Sequence, residues 1–182
     1  PDLWEWDGTA WTQRTPASLP PARRWAAMAY DPGRQRVVLF AGTTLSTKLE
    51  DVWEWDGTNW EDRSPTSGPT PGERAGAVGA YDALAGRTVF VGGSNSFEVW
   101  EWDGTRWYQS TPKSRHRPAS RSGGGVAYDE ARGHLMVFGG EDLLRFEGLW
   151  EREAATSRQP GVQFTVNTAV AAIAPSTIEG LR

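Results

Sequence analysis

The 182-residue chain contains no cysteine. That excludes a disulfide scaffold, a thiolate zinc site and a thiol nucleophile. Lysine is nearly absent: Lys48 and Lys113 are the only two among 19 cationic residues, which stand against 23 acidic ones. A net charge of −4 with no basic excess points away from nucleic acid as a partner. Histidine is limited to His116 and His134, which form no cluster at metal-ligand spacing. The longest apolar runs, 37–41 and 169–174, fall far short of the roughly 20 residues of a membrane-spanning helix. No nucleophile elbow and no Asp-x-Asp calcium loop is present. The expectation is therefore no catalytic residue, metal or cofactor within this chain, and no nucleic-acid or membrane-spanning role.

Tryptophan and glycine, by contrast, are abundant, with 11 and 21 residues. The tryptophans are periodic. Trp4-Glu-Trp-Asp-Gly-Thr-Ala-Trp11 returns as Trp53-Glu-Trp-Asp-Gly-Thr-Asn-Trp60 and as Trp100-Glu-Trp-Asp-Gly-Thr-Arg-Trp107, with a decayed fourth copy at Trp150. Ten of the eleven belong to this pattern, and only Trp25 does not. Two further markers keep the same period. Tyr30, Tyr81 and Tyr128 each stand in an Ala-Tyr-Asp element before an apolar run, and each run ends in a small pair: Ala41-Gly42, Gly92-Gly93 or Gly139-Gly140. Arg23, Arg74 and Arg121 each lie seven residues before the tyrosine. Self-similarity at such a period is the mark of a repeat architecture.

Each period reads as four short antiparallel strands, lettered a to d in chain order. Strand a runs into Ala-Tyr-Asp and strand b is the apolar run, expected to be covered on both faces. Strand c carries Trp53 and Trp55, two apart and so on one face. Asp56-Gly57 makes the hairpin to strand d, which starts near Trp60. Pro-rich stretches at 16–22, 65–72 and 112–119 read as d–a connections. The predicted units are a c–d pair within 1–15, full units at 23–63 and 74–110, and a unit at 121–153. Residues 154–182 are expected to begin a second β-rich domain, with 162–166 replacing the missing strand d as the alternative.

Four antiparallel strands per repeat describe a propeller blade. The small pair after an apolar strand, followed by an aromatic strand and a Trp, resembles the kelch motif over residues 1–153. The resemblance implies an all-β propeller of four-stranded blades. About three blades are too few to close a ring, so this chain is expected to be part of a longer protein. Kelch-like propellers include copper oxidases of the galactose-oxidase type, but this chain has no Cys and no Tyr-His pair to carry that chemistry. An extracellular or cell-surface location in a bacterium is a further implication of the resemblance.

Within this fold the repeated tryptophans Trp53, Trp55, Trp60, Trp100, Trp102 and Trp107 are expected to wedge between blades. Tyr30, Tyr81 and Tyr128 and the glycines Gly92, Gly93, Gly139 and Gly140 are the other scaffold residues. The glycines let backbones approach closely. Glu54 and Asp56 are expected on a solvated outer face. Arg23, Arg74 and Arg121 are placed at the start of strand a, either at the mouth of a central pocket or paired with neighbouring acids as staples.

The connections vary unequally. From the second small residue to the first Trp the gaps are 11, 7 and 10 residues, whereas the a–b and c–d turns are nearly uniform. The b–c and d–a connections share one face of a blade. A rigid scaffold with variable loops on one face is how binding surfaces are built. Candidate ligand contacts on that face are Arg23, Arg74, Arg121, Lys48, Asn95, Arg115 and Arg117. The expected function is a non-enzymatic module that binds a protein or a glycan there. The alternative is part of a carbohydrate-active or copper-oxidase-like enzyme whose catalytic residues lie outside this chain.

Overall fold

The computed structural model describes residues 2–94, 96–112, 117–141, 149–153 and 164–166. Within them the protein is all-β. A hairpin, β1 (Leu3–Trp6) and β2 (Trp11–Arg14), precedes three four-stranded antiparallel sheets. Sheet I holds β3 (Ala27–Asp31), β4 (Arg36–Thr43), β5 (Lys48–Trp55) and β6 (Trp60–Asp62). Sheet II holds β7 (Val78–Asp82), β8 (Arg87–Val91), β9 (Val99–Trp102) and β10 (Trp107–Gln109). Sheet III holds β11 (Gly125–Asp129), β12 (His134–Phe138), β13 (Leu149–Glu153) and β14 (Phe164–Val166). No helix occurs among the described residues, and the sheets do not close on one another. The arrangement is consistent with a β-propeller-like fold. β14 takes the fourth-strand place by pairing with β13, Trp150 opposite Val166. The remainder of 154–182 lies outside the described residues.

The turns follow from the sequence. In each c–d hairpin one Asp carboxylate oxygen accepts two backbone N–H bonds: Asp7 from Thr9 and Ala10, Asp56 from Thr58 and Asn59, Asp103 from Thr105 and Arg106. The glycine after each Asp has φ of 96–100°, a conformation open to glycine at no steric cost. These bonds hold the Asp7 carboxyl down at about 2. At Asp103 burial opposes the shift, and the Thr105 hydroxyl and the turn N–H groups outweigh it, giving about 2 again.

The sheets stack in chain order because their middle strands are apolar on both faces. Val38 and Phe40 of β4 meet Phe90, Trp100, Trp102 and Trp107 of sheet II. Leu39 turns the other way and packs with Trp55 and Trp60 beside Leu3 of the hairpin. Val89 and Val91 join Leu135 and Val137 of sheet III. At the first of these interfaces the rings of Phe40, Phe90, Trp102 and Trp107 lie 4.8–5.6 Å apart in tilted and edge-on pairs. Such contacts add to the burial of 150–250 Å² per large aromatic.

Tyrosine staples add to the stack. The Tyr81 hydroxyl lies against Gly33 in the β3–β4 turn of sheet I, and burial together with the Asp31 carboxylate raises its pKa. Tyr128 does the same one sheet on: it accepts the Leu84 N–H and its hydroxyl bonds Asp82. Tyr30, in the first of the three sheets, reaches no such turn among the described residues and is 55% exposed.

Two expectations are corrected. Glu54 does not lie on a solvated face. It is buried, accepts the Arg34 guanidinium at 2.6 Å and the Trp102 indole N–H of the next sheet at 2.7 Å. Glu101 is buried likewise against Arg87. Secondly, Arg23, Arg74 and Arg121 do not open the first strands, which begin four residues later at Ala27, Val78 and Gly125. The first copy of the Trp motif, outside the six tryptophans expected to wedge, is exposed at Trp4, Trp6 and Trp11, and among the described residues no sheet lies against that face of the hairpin.

Candidate functional site

The three recurring arginines are structural. The Arg23 guanidinium takes the Asp51 carboxylate in a two-pronged contact at 2.5 and 2.7 Å and donates to the Ala41 carbonyl. Arg74 donates to the Glu98 carboxylate, the Gly92 carbonyl and the Pro71 carbonyl. Arg121 donates to the Gly139 and Ala119 carbonyls. Each is buried inside its own sheet and locks the end of the second strand to the entry of the first. Burial opposes the ionised form of Glu98, yet bonds from Arg74 and from the Trp100 indole hold its pKa below the usual range. The acids were a missed signal. Asp51 and Glu98 stand two residues before the first Trp of the motif, and each also accepts that Trp's indole N–H, at 2.7 and 3.0 Å.

Two residues beyond each arginine the backbone turns left-handed: Trp25 at φ 57°, Gly76 at 76° and Gly123 at 68°. The three positions are equivalent in the repeat. They form a relay, with the Gly76 N–H donating to the Trp25 carbonyl at 2.9 Å and the Gly123 N–H to the Gly76 carbonyl at 2.7 Å. The residues before them are also equivalent. Arg24 bridges Thr43, Ala75 accepts the Ser94 backbone N–H and donates its own N–H to the Ser94 Oγ, and Ser122 bridges Glu141. The pattern is thus Arg-Trp in sheet I where the sister sheets have Ala-Gly and Ser-Gly.

That substitution is costly. A left-handed conformation costs an L-residue roughly 1–2 kcal/mol that glycine does not pay. Trp25 also leaves most of a large apolar ring in water, at 65% exposure. The Arg24 guanidinium carbon stacks 4.8 Å from the ring centroid. Exposed cation–π contacts are worth about 0.5–1 kcal/mol, too little to explain the placement.

Trp25 borders a cavity of about 300 Å³ where the entry segments of the three sheets converge. Its floor is the small residues Ala75, Gly76 and Gly123. Each sheet adds polar groups: Lys48 from sheet I, Ser94 from sheet II, and Ser122 with Glu141 from sheet III. All of these come from the b–c and d–a connections or from the first residue after one. Lys48 and Glu141 are exposed, and no ion pair engages either among the described residues. Ser94 Oγ accepts the Ala75 N–H at 3.0 Å, so its own proton is available to donate.

Of the ligand contacts expected from sequence, Lys48 lines this cavity, while Arg23, Arg74 and Arg121 do not. Arg117 is exposed. Asn95 and Arg115 lie outside the described residues, as do Lys113 and His116. His134 is half-buried at the start of β12. A larger groove of about 650 Å³ runs along the outer rim between 62–69 and 104–107. Its aromatic member, Trp107, is buried in the sheet stack and offers no ring face. Among the described residues no group of three or more His, Asp and Glu side chains is placed to hold a metal ion. No family model matches the chain, and no curated protein matches it.

Proposed function

We propose that the chain is part of a kelch-like β-propeller and acts as a non-enzymatic binding module. Its ligand docks at the mouth of the propeller axis, on the face made by the b–c and d–a connections. One observation carries this reading. Trp25 is a solvent-exposed indole held at φ 57° in a position that both sister sheets fill with glycine. Gln35 and Ala41 are left-handed in the same way, at 55° and 58°, where the sister sheets have glycine, but of the three Trp25 holds a large aromatic ring in solvent at the border of a cavity. The variable connections and the polar side chains from all three sheets converge on the same cavity. An extracellular or cell-surface role fits a module of this kind.

The test is fluorine NMR of the chain labelled with 5-fluorotryptophan, which gives one resonance per tryptophan. Panels of soluble glycosides and short peptides are added, and Trp25→Phe identifies the Trp25 signal. The reading predicts that ligands move the Trp25 resonance first. Ligands that move only Trp6, Trp11 or the buried set would place binding elsewhere and contradict it.

A further inference from the structure

Resting on that reading, we infer that the Trp25 cavity takes a single uncharged pyranose ring. The charge of the lining points there. Among the described residues the cavity carries one cation, Lys48, and one anion, Glu141. A phosphate or carboxylate ligand meets repulsion from Glu141, and an ammonium ligand meets repulsion from Lys48. A neutral polyol satisfies both: a ring hydroxyl accepts from the Lys48 ammonium while a neighbouring hydroxyl donates to the Glu141 carboxylate. Hydrogen bonds to charged groups are about twice as strong as neutral ones, so two such contacts orient a small ligand.

The aromatic wall supplies the second half of the recognition. One face of a pyranose presents C–H groups and is apolar, while its rim is hydroxylated. The Trp25 indole offers a π-face with negative quadrupole, suited to polarised C–H groups. Arg24 packs on the ring and lines a separate cavity with Thr43, Thr44 and Leu45. It therefore backs the indole and acts as a positioning residue, leaving the side toward Gly76 and Gly123 for the ligand. The glycine and alanine floor keeps that side clear, and the Ser94 hydroxyl is placed to donate to a rim oxygen. Size agrees as well: about 300 Å³ is at the small end of ligand cavities and holds one ring rather than a chain of several.

The experiment uses the same fluorotryptophan-labelled chain, titrated with methyl glycosides of glucose, galactose, mannose and N-acetylglucosamine. Methyl glucuronoside, tetramethylammonium and free glycine are the charged comparators. The expected result is saturable movement of the Trp25 resonance with at least one neutral glycoside, and weaker response to every charged probe. Glu141→Gln and Lys48→Met each weaken that glycoside about tenfold, and Trp25→Gly, read by saturation transfer to the glycoside protons because the reporter ring is gone, abolishes its binding. Trp25→Gly folds, because Gly76 and Gly123 occupy the equivalent positions. The exposed Trp6 and Trp11 are internal controls for indiscriminate stacking.

Tighter binding of the glucuronoside, of tetramethylammonium or of glycine at Trp25 would overturn the neutral-sugar assignment while leaving the binding site standing. So would a Trp25 response to peptides alone. Equal shifts at Trp6, Trp11 and Trp25 would also overturn it. Silence of Trp25 toward glycosides and peptides alike would remove the site itself.

Discussion

The first and third copies of the tryptophan motif differ at one residue in eight, Ala10 against Arg106, yet they have opposite fates. Both make the same hairpin, with Trp6 opposite Trp11 and Trp102 opposite Trp107. In both, the first indole donates to an acid two residues upstream, Asp2 at 2.9 Å and Glu98 at 3.0 Å. Trp6 is nevertheless 52% exposed, while Trp102 is fully buried. The difference is the neighbour. Trp102 lies against Val38 and Phe40 of sheet I and donates to Glu54. The motif builds a hairpin with a sticky face, and the adjoining sheet decides whether that face becomes core. This is the energetic logic of repeat proteins, in which interface terms between units dominate stability.

The comparison can be broken most forcefully at the second Trp. Trp102→Ala should cost about 3–5 kcal/mol in denaturant unfolding, whereas Trp6→Ala should stay within about 0.5 kcal/mol. Equal losses would mean that the hairpin copies are energetically alike, against the account. The Glu between the tryptophans sharpens the contrast. Glu54→Gln weakens a buried contact to Arg34 and should cost about 1–3 kcal/mol. Glu5→Gln disturbs the exposed pair with Arg14 and should cost under about 0.5 kcal/mol by the same assay.

Acid unfolding gives a subtler form of the test. The Asp103 carboxyl releases its proton more readily in the folded protein, with a pKa of about 2 against an ordinary 3.8. Its stabilisation is therefore complete above the ordinary value and disappears as pH falls toward about 2. Asp103→Asn should flatten the acid limb of the stability curve across that window. Asp7 has the same lowered value, but its hairpin leaves Trp4, Trp6 and Trp11 exposed and joins the stack through the partly buried Leu3, so Asp7→Asn should leave the global acid limb in place. A gain rather than a loss is expected at Thr88, which faces Trp102 across the β8–β9 ladder. It is fully buried, and its hydroxyl has no partner among the described residues. Thr88→Val should raise the unfolding free energy by about 1 kcal/mol; a loss would place the hydroxyl in a bond that the packing needs.

Much of the scaffold was legible in the sequence because turns are local. Asp-Gly with a Trp on each side specifies a hairpin by itself, and paired small residues mark where backbone must cross closely. A Cβ on Gly92 would sit 2.6 Å from the Arg121 carbonyl oxygen, so the crowding that calls for glycine there is real. Burial was less legible, since it depends on partners far along the chain. The two groups that bury Glu54, Arg34 and Trp102, lie 20 and 48 residues away. An alternation pattern therefore reads Glu54 as outward and solvated. The Arg23 and Arg74 staples needed only one further comparison, namely the acid two places before Trp53 and Trp100.

The candidate site was partly legible. Loop-length variation pointed to the face, and Lys48 was among the expected contacts. Trp25 was visible only as the tryptophan outside the pattern. Aligning Arg23-Arg24-Trp25 with Arg74-Ala75-Gly76 and Arg121-Ser122-Gly123 reveals what the period alone does not, an indole standing in for a glycine. Its meaning depends on backbone conformation. The left-handed turn it shares with the two glycines, together with the cavity its ring borders, separates the indole from an ordinary surface residue.

The central claim is that the scaffold is the repeat and the function is the break in it. The unfolding free energy of Trp25→Gly tests this most directly. The account predicts a protein more stable by about 1 kcal/mol, because the left-handed strain is relieved and little packing is lost. A loss of 1 kcal/mol or more would make Trp25 a packing residue of the scaffold and contradict the claim.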